Sequence, residues 1–448
     1  MARPTLLDDT AAGLVEEVGS ADVVVGIPSY HTERTIAHVV KSVQYGLAKY
    51  HGRSRAVIVV SDGGSEDRTR ERAHRAALSP DFETMLLPQP ASHARAIVGQ
   101  YRGPPGKGSA LRAVLEVAKV LGAKCTVTVD ADLRSITPEW VEVLAGPVLL
   151  KGYDFVTPHY ARHKYDGTIT NTMVYPLTRA LYGFRVRQPI GGDFGLGPRL
   201  VEAALSEDVW DTDVARFGID AWLTTLAMTR NLRICQGNLG AKVHDAKDPR
   251  KHLGPMATQV MGTVFGLMGA NAETWMRVKG SRPVRGFGFR SEVAPAPVEV
   301  DPEPMMGMFR EGVREHKKWW RPLLTGPALE GLTAAAELEG AEFRLPAELW
   351  ARVVYDLAVA HRLLTVKDPE AAPRLLSSLV PLYLGRTASF VLETQELSTR
   401  QAERVIEAQA SAFEEAKPHL VQRWSALALP TRGALRATRA PPKTAGKR

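Results

Sequence analysis

Between Asp22 and about Val156, short runs rich in Val, Ile and Thr alternate with segments of helical period. "DVVVGIPSY", "RAVIVVSDGG", "ETMLLPQ", "CTVTVDADL" and "YDFVTPH" have the composition of strands. "ERTIAHVVKSVQYGLAKYH", "SEDRTRERAHRAA" and "GSALRAVLEVAKVLGA", lying between them, space their apolar residues as helices do. Strand followed by helix followed by strand leaves few architectures open. The expectation is an α/β, Rossmann-like sheet of parallel strands covered on both faces. In open sheets of this kind ligands collect beyond the carboxyl ends of the strands, so the residues at those ends carry the functional question.

Residues 157 to 270 keep the mixed character and add loops with several glycines. After "SRPVRGFGFRSEVAPAPVEVDPEPM", dense in Pro and Gly, the chain turns helical in "AELWARVVYDLAVAHRLL", "PRLLSSLVPLYLGRTASFVLE" and "TRQAERVIEAQASAFEEAKPHLVQRW". The expected organisation is an N-terminal extension (1–21), an α/β domain (22–280), a Pro/Gly-rich linker (281–304), a C-terminal α-helical domain (305–426) and a basic tail (427–448). The helical domain is expected to pack on the first domain or to pair two copies in a homodimer.

The net charge is +8, but the last 18 residues carry six Lys or Arg and no acid, which leaves about +2 for the rest. Such a tail is too poor in apolar surface to order itself and suits contact with anionic lipid or nucleic acid. The nearly balanced body speaks against a nucleic-acid partner. Two cysteines, Cys125 and Cys235, supply neither a disulfide framework nor a thiolate zinc site. No run approaches the ~20 uninterrupted apolar residues that span a bilayer, and "MARPTLLDDT" lacks a signal-peptide core. The expected location is cytoplasmic, with peripheral contact at the inner membrane surface.

At the strand ends, "TVTVDADLRS" closes on Asp130 and Asp132, which share one face if the strand persists. Two hard carboxylates suit Mg²⁺ or Mn²⁺ shared with substrate phosphates. "GIPSYHTERTI" and "VSDGGSEDRT" each end a strand just before a helix, where backbone N–H groups can receive a nucleotide. There Asp62 suits a base edge, while Ser65 and Asp67 are read as caps. "GPPGKGSALR" delivers Lys107 at a helix start, where it and backbone donors can meet a diphosphate, although the Walker A spacing is absent. Trp140 is read as core.

In order over about 110 residues, the proline-tyrosine strand end, the D-x-G-S-x-D turn, the G-K-G loop and the D-x-D strand end resemble a family 2 glycosyltransferase of the GT-A fold. "GPVLLKGYDFV", "YPLTRALYG", "PIGGDFG", "RFGIDAWL" and "GAKVHDAKD" are similar to the glucosyl-3-phosphoglycerate and mannosylglycerate synthase group, which uses nucleotide-sugar donors. The resemblance covers roughly residues 22 to 270. It implies a GT-A mixed sheet and a metal-dependent hexosyltransferase using Mg²⁺ or Mn²⁺. Pro28, Tyr30 and Asp62 would line the nucleoside pocket near Lys107. Asp132 would be the direct metal ligand, with Asp130 beside it and His244 completing the site. Asp220 would hold donor-sugar hydroxyls. Thr170, Asn171, Arg179, Arg185 and Arg187 would face a small polar or acidic acceptor, glycerate or phosphoglycerate. Asp193 would be the base in an inverting reaction, or an orienting group in a retaining one such as the synthase group performs. The sequence departs from the pattern where His31 and Thr32 replace the usual Asn-Glu, and where "GTITNT" replaces a Gly-Arg-Val-Thr acceptor signature. Two further readings are transfer to a polyprenyl phosphate at a membrane, towards which "HKKWWRPLL" points, and a non-catalytic nucleotide-sugar-binding protein. The intact Asp130, Asp132, Lys107 and His244 oppose the latter.

Overall fold

The computed structural model describes residues 6–78, 94–243, 249–289 and 297–427. Its strands are β1 (Val23–Ser29), β2 (Ala56–Asp62), β3 (Arg95–Gln100), β4 (Cys125–Thr128), β5 (Phe155–Ala161), β6 (Phe184–Arg185), β7 (Phe194–Leu196), β8 (Ile234–Ala241), β9 (Arg282–Pro283) and β10 (Arg285–Phe287). Eight of them form one sheet in the order β10-β8-β5-β7-β4-β1-β2-β3, while β6 pairs with β9 alone. Every residue of β2 is buried, and β1 registers against it from Val23↔Ala56 to Ser29↔Asp62. Such unbroken apolar runs follow from burial on two faces. Val23, Val25 and Ile58 pack on one side against the helices Ile36–His51 and Glu139–Lys151, including Trp140. Val24, Val57 and Val59 pack on the other against the helix Lys107–Val120.

One expected strand falls outside the described residues, the mixed sheet agrees with the resemblance, and one boundary differs. The run "ETMLLPQ" is the strand outside the described residues, and the strand described beside β2 is Arg95–Gln100. With exposed ends and half-buried alternate positions, it has the pattern of a sheet edge. The sheet is mixed, as the GT-A resemblance implies, because β7 runs antiparallel to both β4 and β5. Three residues are too few to show a period, which is why the parallel pattern alone did not disclose it. Finally, β9 and β10 fall inside the stretch read as a linker, and β10 extends the main sheet through β8.

The helical region comprises Glu303–Trp320, Gly326–Ala336, Ala347–Lys367, Ala371–Thr394 and Thr399–Ser425, the last opened by a Ser398–Gln401 capping box. It shares one core with the sheet domain, in which Trp275, Phe309, Trp320, Trp350 and Tyr355 are fully buried. Polar clasps fix the join. Lys164 Nζ donates to the carbonyls of Thr394 (2.7 Å), Gln395 (3.1 Å) and Leu397 (2.6 Å). Lys417 Nζ returns the contact to Ala180 O and Val278 O at 2.7 Å each. A buried ammonium with its protons taken by carbonyls is specific about geometry, so the two regions meet in one arrangement.

Candidate active site

The carboxyl edge of the sheet gathers a buried ionic cluster from five places in the chain. Strand β4 ends at Thr128, so Asp130 and Asp132 stand past the strand and not on its alternating face. Asp130 Oδ1 meets Lys107 Nζ at 2.8 Å, and its Oδ2 meets Lys242 Nζ at 2.7 Å. Lys107 also reaches Asp220 Oδ2 at 3.2 Å. Lys242 further reaches Asp193 Oδ2 and Gly191 O, both at 2.8 Å, and lies over the Tyr160 ring at 5.0 Å. Asp193 is wholly buried: its Oδ1 accepts the Asp130 N–H at 2.8 Å, and its Oδ2 also accepts the Tyr160 hydroxyl. Gly192 makes the crowding feasible. At φ +89° a Cβ there would sit 2.7 Å from both Asp130 Oδ2 and Lys107 Nζ.

Charge state follows from this packing. Burial works against the Asp130 charge, yet Lys107 and Lys242 hold its carboxyl well below the usual range. Burial likewise opposes both ammoniums, but Asp130 with Asp220 raises Lys107, and Asp130 with Asp193 raises Lys242. Burial pushes Asp193 and Asp220 up against the pull of the lysines. The Tyr160 hydroxyl is raised far above its ordinary value by burial and by Asp193, so it stays a donor. One atom is left over: Asp220 Oδ1 is buried without a hydrogen-bond partner. An orphaned carboxylate oxygen costs roughly 1–3 kcal/mol or more, which a hydrogen-bond donor on a ligand would recover.

The other sequence-singled residues fall in two groups. Asp62 is fully buried, and its oxygens are taken by Gly64 N, Ser65 N, Ser65 Oγ and Ser29 Oγ. It therefore shapes the turn after β2 and presents no open edge of its own. Asp67 caps as expected, accepting the Thr69 N–H at 3.0 Å. Pro28 is half-buried at the end of β1, and beyond it Tyr30 is 61% exposed and stacked on His31 at 4.2 Å, with His31 in the left-handed region at φ 50°. At the helix start of Lys107 two backbone amides are already engaged. Gly106 N donates to the Tyr101 hydroxyl and Gly108 N donates to Arg216 O, while the Lys107 side chain faces the cluster. Asp220 sits in the first turn of the helix Ile219–Thr229 but makes no cap; it turns to Lys107 instead.

On the acceptor side, Thr170 and Asn171 are buried in a π-helical turn, Thr170–Val174. Asn171 Oδ1 accepts from Arg187 at 2.9 Å, and the Arg187 fork is also paired with Glu403 of the helical region. Arg179 is bound by Glu407 and Glu414. Arg185 is exposed, its Nε on Ser281 Oγ at 3.0 Å. These side chains thus join the two regions or face outward. Two groups that the sequence reading passed over stand closer to the cluster: Lys242, and Arg162, whose guanidinium lies 5.0 Å over the Tyr160 ring with its Nε buried, without a hydrogen bond and 3.8 Å from Asp166 Oδ2. The only sequence signal for Lys242 was a lysine just past the β8 run in "GAKVHD".

A divalent cation finds part of a site. Asp132 is half-buried and offers a hard oxygen, whereas the structure gives both Asp130 oxygens to ammoniums. No group of three metal-ligating side chains occurs among the described residues, and His244 lies outside them. Its predecessor Val243 is tied to the Asp132 segment: Arg134 N donates to Val243 O, and Val243 N donates to Ser135 Oγ, both at 2.8 Å. Charge supports the fit. Asp130, Asp132, Asp193 and Asp220 outnumber Lys107 and Lys242, a balance into which a divalent cation fits.

No family model and no curated protein matches the chain. Among solved structures it is similar to the glucosyl-3-phosphoglycerate synthase of Mycobacterium tuberculosis. One such structure, in complex with Mn²⁺, UDP and glucosyl-3-phosphoglycerate, is 25% identical over 57% of this chain and 84% of its own, with a TM-score of 0.43. Another, with Mn²⁺, UDP-glucose and phosphoglyceric acid, is 25% identical over 57% and 83%, also at 0.43. At that TM-score the likeness is partial, and the functional reading stands on the geometry of the site.

Proposed function

We propose that the chain is a metal-dependent glycosyltransferase that moves a hexose from a nucleotide-diphosphate sugar, of the UDP-glucose or GDP-mannose type, to a small anionic hydroxyl acceptor. The observation that carries this is the cluster itself: two buried ammoniums and a carboxylate with an unpartnered oxygen, at the sheet edge where α/β folds receive nucleotides. Lys107 and Lys242 supply fixed positive charge where a diphosphate would leave, preorganised because Asp130 holds both. Asp220 Oδ1 suits a sugar hydroxyl, which would relieve its missing hydrogen bond. Asp132, with His244, would hold Mg²⁺ or Mn²⁺, which when bound offsets the charge developing on the leaving diphosphate.

In the reaction the acceptor oxygen bonds to the anomeric carbon as the bond from that carbon to the diphosphate oxygen breaks. Asp193 already accepts from the Asp130 N–H, Tyr160 and Lys242, and is sealed from solvent. That disfavours it as the proton acceptor. The proton then passes to the departing phosphate oxygen, and Asp193 acts by positioning Lys242 and Tyr160. This assignment favours retention of configuration. Arg162, beside Tyr160 at the end of β5, suits a carboxylate or phosphate on the acceptor.

The test measures thermal stabilisation by UDP- and GDP-sugars with and without Mn²⁺, followed by product formation with glycerate and phosphoglycerate. The expected result is a metal-dependent upward shift with one donor, and product whose anomeric coupling by NMR matches the donor's. No shift with any donor, or full activity in Lys107→Met, overturns the reading.

A further inference from the structure

We propose that the surface formed by residues 277–289 and β6 docks on an anionic lipid bilayer. The segment "RVKGSRPVRGFGF" holds Arg277, Lys279, Arg282 and Arg285 and no acid. Strand β6 sets Arg185 beside them, opposite Pro283 in the β6–β9 pairing. All five cations are exposed, and none has a carboxylate partner among the described residues. Glu407 and Glu414 do not serve them, because Arg179 engages both. Two of the guanidiniums lie on aromatic rings, Arg282 over Phe184 at 4.8 Å and Arg285 over Phe287 at 5.3 Å.

Beside this charge stands Phe289, 98% exposed. Because β10 runs parallel to β8, Phe289 lies past the carboxyl end of β10, towards the sheet edge where β8 leads into Lys242. Asn238 Nδ2 anchors the turn by donating to Gly288 O at 3.0 Å. A bare aromatic ring flanked by unpaired cations is the chemistry of an interfacial anchor, with the ring at headgroup depth and the cations on anionic lipid. A single-strand nucleic-acid platform lays out several rings, and here Phe287 is covered by Arg285 and by Tyr153 at 5.4 Å. A second copy related by a two-fold axis would set the same cations against one another. The proposal does not depend on the glycosyltransferase reading.

The experiment uses the full chain with vesicles of phosphatidylcholine alone and of phosphatidylcholine with phosphatidylglycerol. The basic tail also attracts such vesicles, so the readout is placed at the patch. Cys125 and Cys235 are buried, and an environment-sensitive dye therefore goes selectively to the thiol of Phe289→Cys. A blue shift only with the anionic vesicles, lost at high salt, is expected. The double variant Arg282→Glu and Arg285→Glu should weaken sedimentation with those vesicles by at least about 30-fold, at roughly a kilocalorie per charge. No shift of the dye, an equal shift on both vesicles, or a shift that appears without lipid as protein concentration rises overturns the proposal; the last would mean that a second copy covers the patch. A shift produced by an oligonucleotide and not by vesicles would assign the surface to nucleic acid and overturn it as well.

Discussion

Buried charge occurs at the sheet edge and in the Arg386 and Asp356 networks of the helical region, and these are finished differently. In the helical region Arg386, 1% exposed, gives its Nε to Gln409, its NH1 to Leu345 O, Ser389 and Glu393, and its NH2 to Glu393. Asp356, fully buried, is held by Thr325 N and Oγ, His419 and Arg423. At the sheet edge the lysines and aspartates are buried or partly buried, and Asp220 Oδ1 has no hydrogen-bond partner. A satisfied network specifies one packing, whereas an unsatisfied one keeps interaction energy in reserve for a ligand. On the proposed function, the difference separates groups that hold the fold from groups that would meet a substrate.

Four experiments bear on that contrast. Arg386→Met should cost about 3 kcal/mol of stability by denaturant unfolding, the low end for a broken buried pair because Glu393 is partly exposed, while activity per folded molecule persists. A loss of turnover without a loss of stability would erase the distinction. Asp220→Asn should do the reverse, lowering kcat/KM on the order of 100-fold, about 2.7 kcal/mol, with the melting temperature unchanged or higher. A matching fall in stability would make Asp220 a structural residue.

The third test is acid. Burial lowers the His361 pKa to about 4, whereas the unfolded chain protonates near 6.5. Over that window the unfolded state binds the extra proton, so stability falls as pH drops, by about 2 kcal/mol at pH 5. His361→Phe should flatten that slope in a pH series of unfolding curves. The sheet edge behaves otherwise. Asp130 is held low by its lysines, so its contribution persists above the ordinary carboxylate pKa and is lost only as pH falls below it. The smallest effect is expected from thiol alkylation. Burial raises both Cys125 and Cys235, so native protein should keep its activity and show no modified thiol by mass spectrometry.

Much of this was legible in the chain. The runs of β1, β2, β4 and β5 announced a covered sheet, because strands buried on both faces read as unbroken Val and Ile. The long helices of the C-terminal region showed their period, and Asp130 and Lys107 drew notice as charges at element ends or among glycines, whereas Asp193 and Asp220 entered through the resemblance. Local signals of this kind depend only on neighbours in sequence. What they touch does not. Asp130 and Lys242 are 112 positions apart, and nothing in "GAKVHD" says that its lysine will lie between two aspartates. Arg179 and Arg187 read as anion binders because a guanidinium looks the same whatever faces it; the helix Thr399–Ser425 supplied the carboxylates that claim them. The sequence by itself determined the elements, since backbone propensity and burial period are short-range. Only the tertiary structure decided which charges were spent on each other and which were left for a ligand, because pairing is settled by distances that folding alone creates.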